Sequence, residues 1–172
     1  FAALRETQTQ QAISQEERSQ AYMRLIRRFF SYAWVIPYLF GASPVCANES
    51  AGRRPFSYLT STAQGAFSKT ATSLRLSDIG YHNHPDLQLN IDYASVGAYA
   101  KSLEAATQQF FEPFSRLPVQ DAQGVYQQLS PYALQIENEF YNPIRPKALS
   151  SSEERPLHAL EHNGVAYLEM RL

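Results

Sequence analysis

The stretch Gln135-Ile136-Glu137-Asn138-Glu139-Phe140-Tyr141-Asn142-Pro143-Ile144-Arg145-Pro146-Lys147 constrains the fold of this chain more than any other. It carries two carboxylates, a phenol, a guanidinium and an ammonium, and it has no helical period. Strand alternation sorts it instead, with Gln135, Glu137, Glu139 and Tyr141 on one face and Leu134, Ile136 and Phe140 on the other. The spacing predicts a strand over 133–141 with one face toward a core and one polar face. Like charges at alternate positions of a strand repel unless a cation, a metal or solvent lies over them, so the polar face is either a wet sheet surface or a site. The chain's last residues repeat the pattern: Val165, Tyr167, Glu169 and Arg171 alternate with Ala166, Leu168, Met170 and Leu172.

Helices account for much of the rest. Ser14 and Glu17 have the spacing of a capping box, and Tyr22, Leu25, Ile26, Phe29, Phe30, Ala33 and Trp34 follow at helical intervals. Arg18, Arg24, Arg27 and Arg28 fall on the other side, which reads as a solvated face. Pro37 ends or kinks this helix between 36 and 40, and Gly41 is a candidate C-terminal cap. Residues 47–70 read as a long surface connection with at most a short strand. A second helix is predicted from Tyr93 to Phe111, opened by Asp92 and stopped before Pro113, with Val96, Tyr99, Ala100, Leu103 and Phe110 on its buried side. Beyond Pro118 come turn and strand, a short helix around 156–162, an Asn163-Gly164 turn and a last strand from Val165. The pattern is α+β: a mainly antiparallel sheet, polar on one side, with helices packed on the other.

Composition excludes several function classes. With 15 basic and 16 acidic residues in 172, the chain has no broad cationic field of the kind that dominates nucleic-acid affinity. The longest apolar run, Trp34 to Cys46, is broken by Pro37, Gly41 and Pro44 and is too short to span a bilayer. Cys46 is the single cysteine, which excludes an intrachain disulfide and a thiolate metal cage and points to a reducing compartment, the cytoplasm. The sequence opens on Phe1 and stops within the last strand, so both ends are expected to be cut, and one domain or a piece of one is expected.

Three groupings could carry chemistry. Glu137, Glu139, Tyr141, Glu169 and Arg171 offer hard oxygen ligands and a fixed cation, as a magnesium–nucleotide site requires; on pattern alone a solvated sheet face is the commoner explanation, since antiparallel sheets often keep one side wet. Arg75, flanked by hydroxyls in Thr72-Ser73-Leu74-Arg75-Leu76-Ser77-Asp78-Ile79-Gly80-Tyr81, could clamp a carboxylate at two points or simply pair with Asp78. His82 and His84 could form a metal pair, but no third ligand is spaced nearby and Pro85 signals a loop. Cys46 reads as a small buried residue, not a nucleophile.

Taken together, Trp34 to Pro44, Ala71 to Tyr81, Gln135 to Lys147 and Tyr167 to Arg171 resemble the bacterial glutamate–cysteine ligase family, proteobacterial type, over essentially the whole chain. The resemblance implies a glutamine-synthetase-like fold. It implies, too, that ATP phosphorylates the side-chain carboxyl of L-glutamate and that the amine of L-cysteine attacks the acyl phosphate, the first step of glutathione biosynthesis. On the matching motifs it assigns Arg75, Tyr81 and Tyr141 to the cysteine substrate, Glu169 to magnesium and Arg171 to the transferred phosphoryl group.

The resemblance implies that most of the family's magnesium-binding carboxylates, including a Glu-Arg-Glu run, and a metal-site histidine lie upstream of the matched region. Arg5-Glu6-Thr7 only mimics that run, so the isolated chain is expected to be inactive. Two other readings stay open: a ligase of the same fold making another gamma-glutamyl amide, and a noncatalytic small-molecule-binding module. None of these features sets the oligomeric state.

Overall fold

The computed structural model describes residues 13–51, 60–77, 80, 83–84, 86–151 and 153–172. Its elements run α1 (Gln15–Tyr32), α2 (Val35–Phe40), β1 (Val45–Ala47), α3 (Asn48–Ala51), β2 (Thr60–Ser61), β3 (Gly65–Phe67), α4 (Val96–Ala106), α5 (Glu112–Ser115), a 3₁₀ turn (Glu137–Glu139), β4 (Ile144–Lys147), α6 (Pro156–Asn163) and β5 (Tyr167–Met170). Helices with antiparallel strand pairs give the α+β class. The strands form two small sheets, ordered β1-β3-β2 and β4-β5. No helix among the described residues is long and apolar enough to cross a membrane.

The chain divides into two compact units, residues 1–28 with 83–170, and residues 29–82 with 171–172. In the first unit, α1 opens with the capping box: Ser14 Oγ accepts from Glu17 N–H at 3.2 Å, and Glu17 Oε2 accepts from Ser14 N–H at 3.1 Å. The buried stripe is Ser19, Met23 and Ile26, at i, i+4 and i+7. Sequence period put the stripe at Tyr22, Leu25 and Ile26 instead, yet Leu25 is exposed and Tyr22 only half-buried. What rotates it is a polar anchor: Ser19 Oγ accepts from the buried Val165 N–H at 3.0 Å. Arg27, expected on a solvated face, donates to the Tyr93 and Ala94 carbonyls just ahead of α4.

Helix α4 starts later than predicted. Ser95 is its N-cap, accepting from Ala98 N–H at 3.1 Å, while Asp92 bonds Ala94 N–H in a local turn. It ends at Ala106, so Phe110 lies beyond it and is exposed. Tyr99, Ala100, Leu103 and Ala106 line its buried side, and the core of this unit adds Leu134, Phe140, Ile144, Leu157, Leu160 and Val165.

The second unit holds α2 and the three-stranded sheet. Proline lacks an N–H and its ring clashes with the carbonyl four residues back, which for Pro37 is Ala33. The break comes earlier than the 36–40 expected: the long helix stops at Tyr32, turns through Ala33–Trp34 and restarts at Val35, which leaves Pro37 in the first turn of α2, where its missing N–H is tolerated. Gly41 closes α2 with its N–H on the Pro37 carbonyl at 2.8 Å, and a Cβ there would lie 2.5 Å from the Thr72 carbonyl oxygen. Two strands, β2 and β3, fall in the region read as a connection, and β1 ends where it begins, with Cys46 paired to Ala66 and buried. Strands of two or three residues are too short to show alternation, which hid them.

Candidate functional site

The predicted strand over 133–141 is not formed. Glu139 N–H bonds the Ile136 carbonyl at 3.0 Å, and Glu139 Oε2 accepts from Gln135 N–H at 2.6 Å, so the segment coils into a 3₁₀ turn. The side chain satisfies a backbone donor that a ladder would otherwise have used. Glu137, Glu139 and Tyr141 therefore do not share a strand face. Glu137 lies 3.4 Å from Arg155 instead.

The strand forms further on, as β4, antiparallel to β5, with Arg145 opposite Glu169 and Lys147 opposite Tyr167. Alternation puts those four side chains on one face, and Lys147 Nζ is 3.7 Å from Glu169 Oε2. Arg145 is buried at 6% exposure and donates from Nη2 to the Asn138 carbonyl at 3.2 Å, tying the 3₁₀ turn to the strand. Neither Arg145 nor Lys147 was singled out from sequence; the signal available was the Ile-Arg-Pro-Lys alternation, masked by a proline that only an edge strand tolerates.

Tyr141 lies between the 3₁₀ turn and β4 and is half-buried. Asn83 bonds both of its backbone polar groups: Asn83 Nδ2 donates to the Tyr141 carbonyl at 3.2 Å, and Tyr141 N–H donates to Asn83 Oδ1 at 3.1 Å. The next residue, Asn142, is buried; its amide donates to the Tyr93 hydroxyl and its Oδ1 accepts from Ile144 N–H at 3.1 Å. Tyr93 in turn packs on Tyr99, ring centroids 5.4 Å apart. Burial, with Tyr99 adding to it, raises the Tyr93 pKa against the opposing Asn142 hydrogen bond and Arg145 charge. Burial pushes Tyr99 up to about 12, and Arg145 again opposes. Both phenols are neutral at ordinary pH.

In the second unit, Arg75 sits half-buried in a tight turn. Ser77 N–H and Oγ bond the Leu74 carbonyl at 3.3 and 2.7 Å, Leu76 N–H bonds Ser73 Oγ at 3.3 Å, and Gly80 N–H bonds the Ser77 carbonyl at 2.8 Å. A Cβ on Gly80 would lie 2.1 Å from the Arg75 carbonyl oxygen, so glycine is what lets the turn close beneath Arg75. Tyr81, the other tyrosine assigned to cysteine, lies outside the described residues, as do Asp78 and His82. His84 packs edge-on against Phe111 at 5.1 Å, and its Nδ1 accepts from Asp86 N–H at 3.2 Å, which occupies one of its two metal-capable nitrogens. Glu169 and Tyr141 thus belong to one compact unit, and Arg75 and Arg171 to the other.

Two cavities open among the described residues. The first, about 460 Å³, is lined by Glu104, Glu153, Glu154, Glu161, Arg155 and His158, and its carboxylates would repel a triphosphate. The second, about 130 Å³, lies against Tyr99, Arg145, Lys147 and Tyr167 and is too small for a nucleotide. Neither is lined by Arg75, Tyr141 or Glu169. The carboxylate oxygens of Glu169 have the hard character that magnesium selects. Among the described residues no three His, Cys, Asp or Glu side chains converge to hold an ion.

Known proteins give this geometry a context. The profile of the glutamate–cysteine ligase family matches residues 1–172. The glutamate–cysteine ligase of Vibrio campbellii is 43% identical over 161 residues, covering 91% of this chain and 30% of that protein. That of Proteus mirabilis is 41% identical over 165 residues, covering 95% and 31%. The chain spans about 30% of the length of these curated relatives. Among solved structures, the glutamate–cysteine ligase of Francisella tularensis in complex with AMP superposes with a TM-score of 0.80 at 39% identity, covering 99% of this chain and 33% of that one. A bifunctional glutathione synthetase from Pasteurella multocida shares the fold, with a TM-score of 0.56 at 22% identity, covering 98% of this chain and 17% of that one. With a profile match along its full length and relatives above 40% identity, the chain belongs to the glutamate–cysteine ligase family.

Proposed function

We propose that this chain supplies part of the active site of an ATP-dependent ligase that joins the side-chain carboxyl of L-glutamate to the amine of L-cysteine. The observation that carries the reading is the family match over residues 1–172, seconded by AMP in the Francisella relative's crystal structure. In the first step a carboxylate oxygen of glutamate attacks the γ-phosphorus of ATP, giving an acyl phosphate and ADP. The cysteine nitrogen then attacks the acyl carbon, phosphate leaves, and the nitrogen sheds a proton to give gamma-glutamylcysteine.

Arg75 binds the cysteine carboxylate, because a guanidinium offers two parallel N–H donors that match its two oxygens. Tyr81 and Tyr141 flank the cysteine side chain. Arg171 faces the transferred phosphoryl group, where a fixed cation stabilises charge spread over the equatorial oxygens. Glu169 is one magnesium ligand, held at the β4–β5 pair with Lys147 beside it. Magnesium, when bound, neutralises the polyphosphate. The free, buried Cys46 suits a reducing cytoplasm.

We further read residues 1–172 as the central part of one catalytic domain, inactive in isolation, since a single carboxylate cannot hold magnesium against water. The test is product analysis of the full-length protein with ATP, magnesium, glutamate and a panel of amines. Equimolar gamma-glutamylcysteine, ADP and phosphate are expected. A different gamma-glutamyl amide would move the chain to another ligase of this fold, and cysteine binding without ADP release would make it a binding module.

A further inference from the structure

Tyr141 is held by a side chain from 58 positions away in sequence, and the hold is two-sided. The Asn83 carboxamide donates to the Tyr141 carbonyl at 3.2 Å and accepts from the Tyr141 N–H at 3.1 Å. A primary amide presents a donor and an acceptor side by side, so it pairs with a residue's N–H and C=O as a neighbouring strand would. Tyr141 needs such a substitute, because it falls after the 3₁₀ turn ends at Glu139 and before β4 begins at Ile144. On its other side Asn142 is pinned to Tyr93 and to Ile144 N–H. Fixing the peptide groups on both sides of the Tyr141 Cα fixes the direction in which its side chain leaves the backbone.

We infer that Asn83 is the positioning residue that aims Tyr141, and through it sets selectivity for the amine-bearing acceptor amino acid. The inference rests on Tyr141 touching that acceptor. Aspartate at position 83 would keep the acceptor but set a carboxylate against the Tyr141 carbonyl, and alanine would offer neither group. Asn83 itself touches no reacting atom, so its loss acts on acceptor binding and leaves phosphoryl transfer from ATP to glutamate largely intact.

The test uses the full-length protein with Asn83→Ala, Asn83→Asp, Tyr141→Ala and the double variant Asn83→Ala/Tyr141→Ala. Steady-state kinetics for ATP, glutamate and cysteine are measured on each, with thermal unfolding alongside. Loss of two uncharged hydrogen bonds predicts an increase of about tenfold in KM for cysteine in Asn83→Ala. KM for ATP and glutamate should stay within about twofold, and the Asn83 effect should vanish in the Tyr141→Ala background. Asn83→Asp should behave alike and serves if the alanine variant does not fold. A rise in all three KM values together, or Asn83 and Tyr141 effects that simply add, would assign Asn83 a purely structural role and overturn the inference. An unchanged cysteine KM in Asn83→Ala beside a raised one in Tyr141→Ala would overturn it alone. An unchanged cysteine KM in Tyr141→Ala would overturn the reading of Tyr141 on which it stands.

Discussion

Gly164 shows how one residue joins distant parts of the chain. Its φ of +64° lies where L side chains rarely go, and a Cβ there would meet Ser19 Oγ at 2.6 Å and Gln15 at 2.9 Å. The same Ser19 oxygen accepts from Val165 N–H, and Gln15 Nε2 donates to the His162 carbonyl at 3.0 Å. Gly164→Ala should destabilise the protein by about 1–3 kcal/mol through backbone strain and displacement of Ser19; a chemical unfolding midpoint equal to that of the parent would refute this. That a glycine ends α6 was legible in the Asn163-Gly164 pair. That its missing Cβ makes room for Ser19 was not, because the partner stands more than a hundred positions away and serine carries no period of its own. Arg27 is a similar case: helical period put it on the outer face correctly, but nothing local marks the carbonyls it reaches.

Among the elements, those with strong local signals were legible: the capping box of α1, the buried side of α4, α6 before a glycine, and the existence of β5, though not its faces, since Met170 is exposed and Val165 is buried. The β4 strand was misplaced by ten residues or so because Gln135 to Tyr141 alternates in polarity yet closes its own turn through Glu139. Alternation reports only which faces a strand would have, and a side chain that caps a backbone donor outcompetes it. The helix α4 also carries the clearest titration. Tyr99, raised to about 12 from an ordinary 10 mainly by burial, is neutral in the fold, so its contribution to stability is complete below pH 10 and is lost as pH rises from 10 to 12. Tyr93 acts in the same direction. Urea midpoints should hold up to about pH 10 and then fall, with a shallower fall in Tyr99→Phe. An identical decline in that variant would remove Tyr99 from the account.

At the scale of the molecule, the α+β class and the family were legible because the Arg75, Tyr141 and Glu169–Arg171 motifs survive as contiguous words. The site was legible as residue types but not as an arrangement. Alternation assigned Tyr141 to a strand that does not form, and it gave no hint that Asn83 supports it or that Arg145 and Lys147 flank Glu169. These are long-range pairings, set by how the chain closes on itself and invisible to any local window. On the proposed function these residues serve ATP-dependent ligation, and Arg171 tests it most directly, since a cation facing a transferring phosphoryl group contributes about a thousandfold or more to rate. The decisive measurement is the rate of cysteine- and glutamate-dependent ADP release by the full-length protein carrying Arg171→Ala. A fall of about a thousandfold in kcat, with the fold retained, is predicted; a rate within about threefold of the parent would contradict the account.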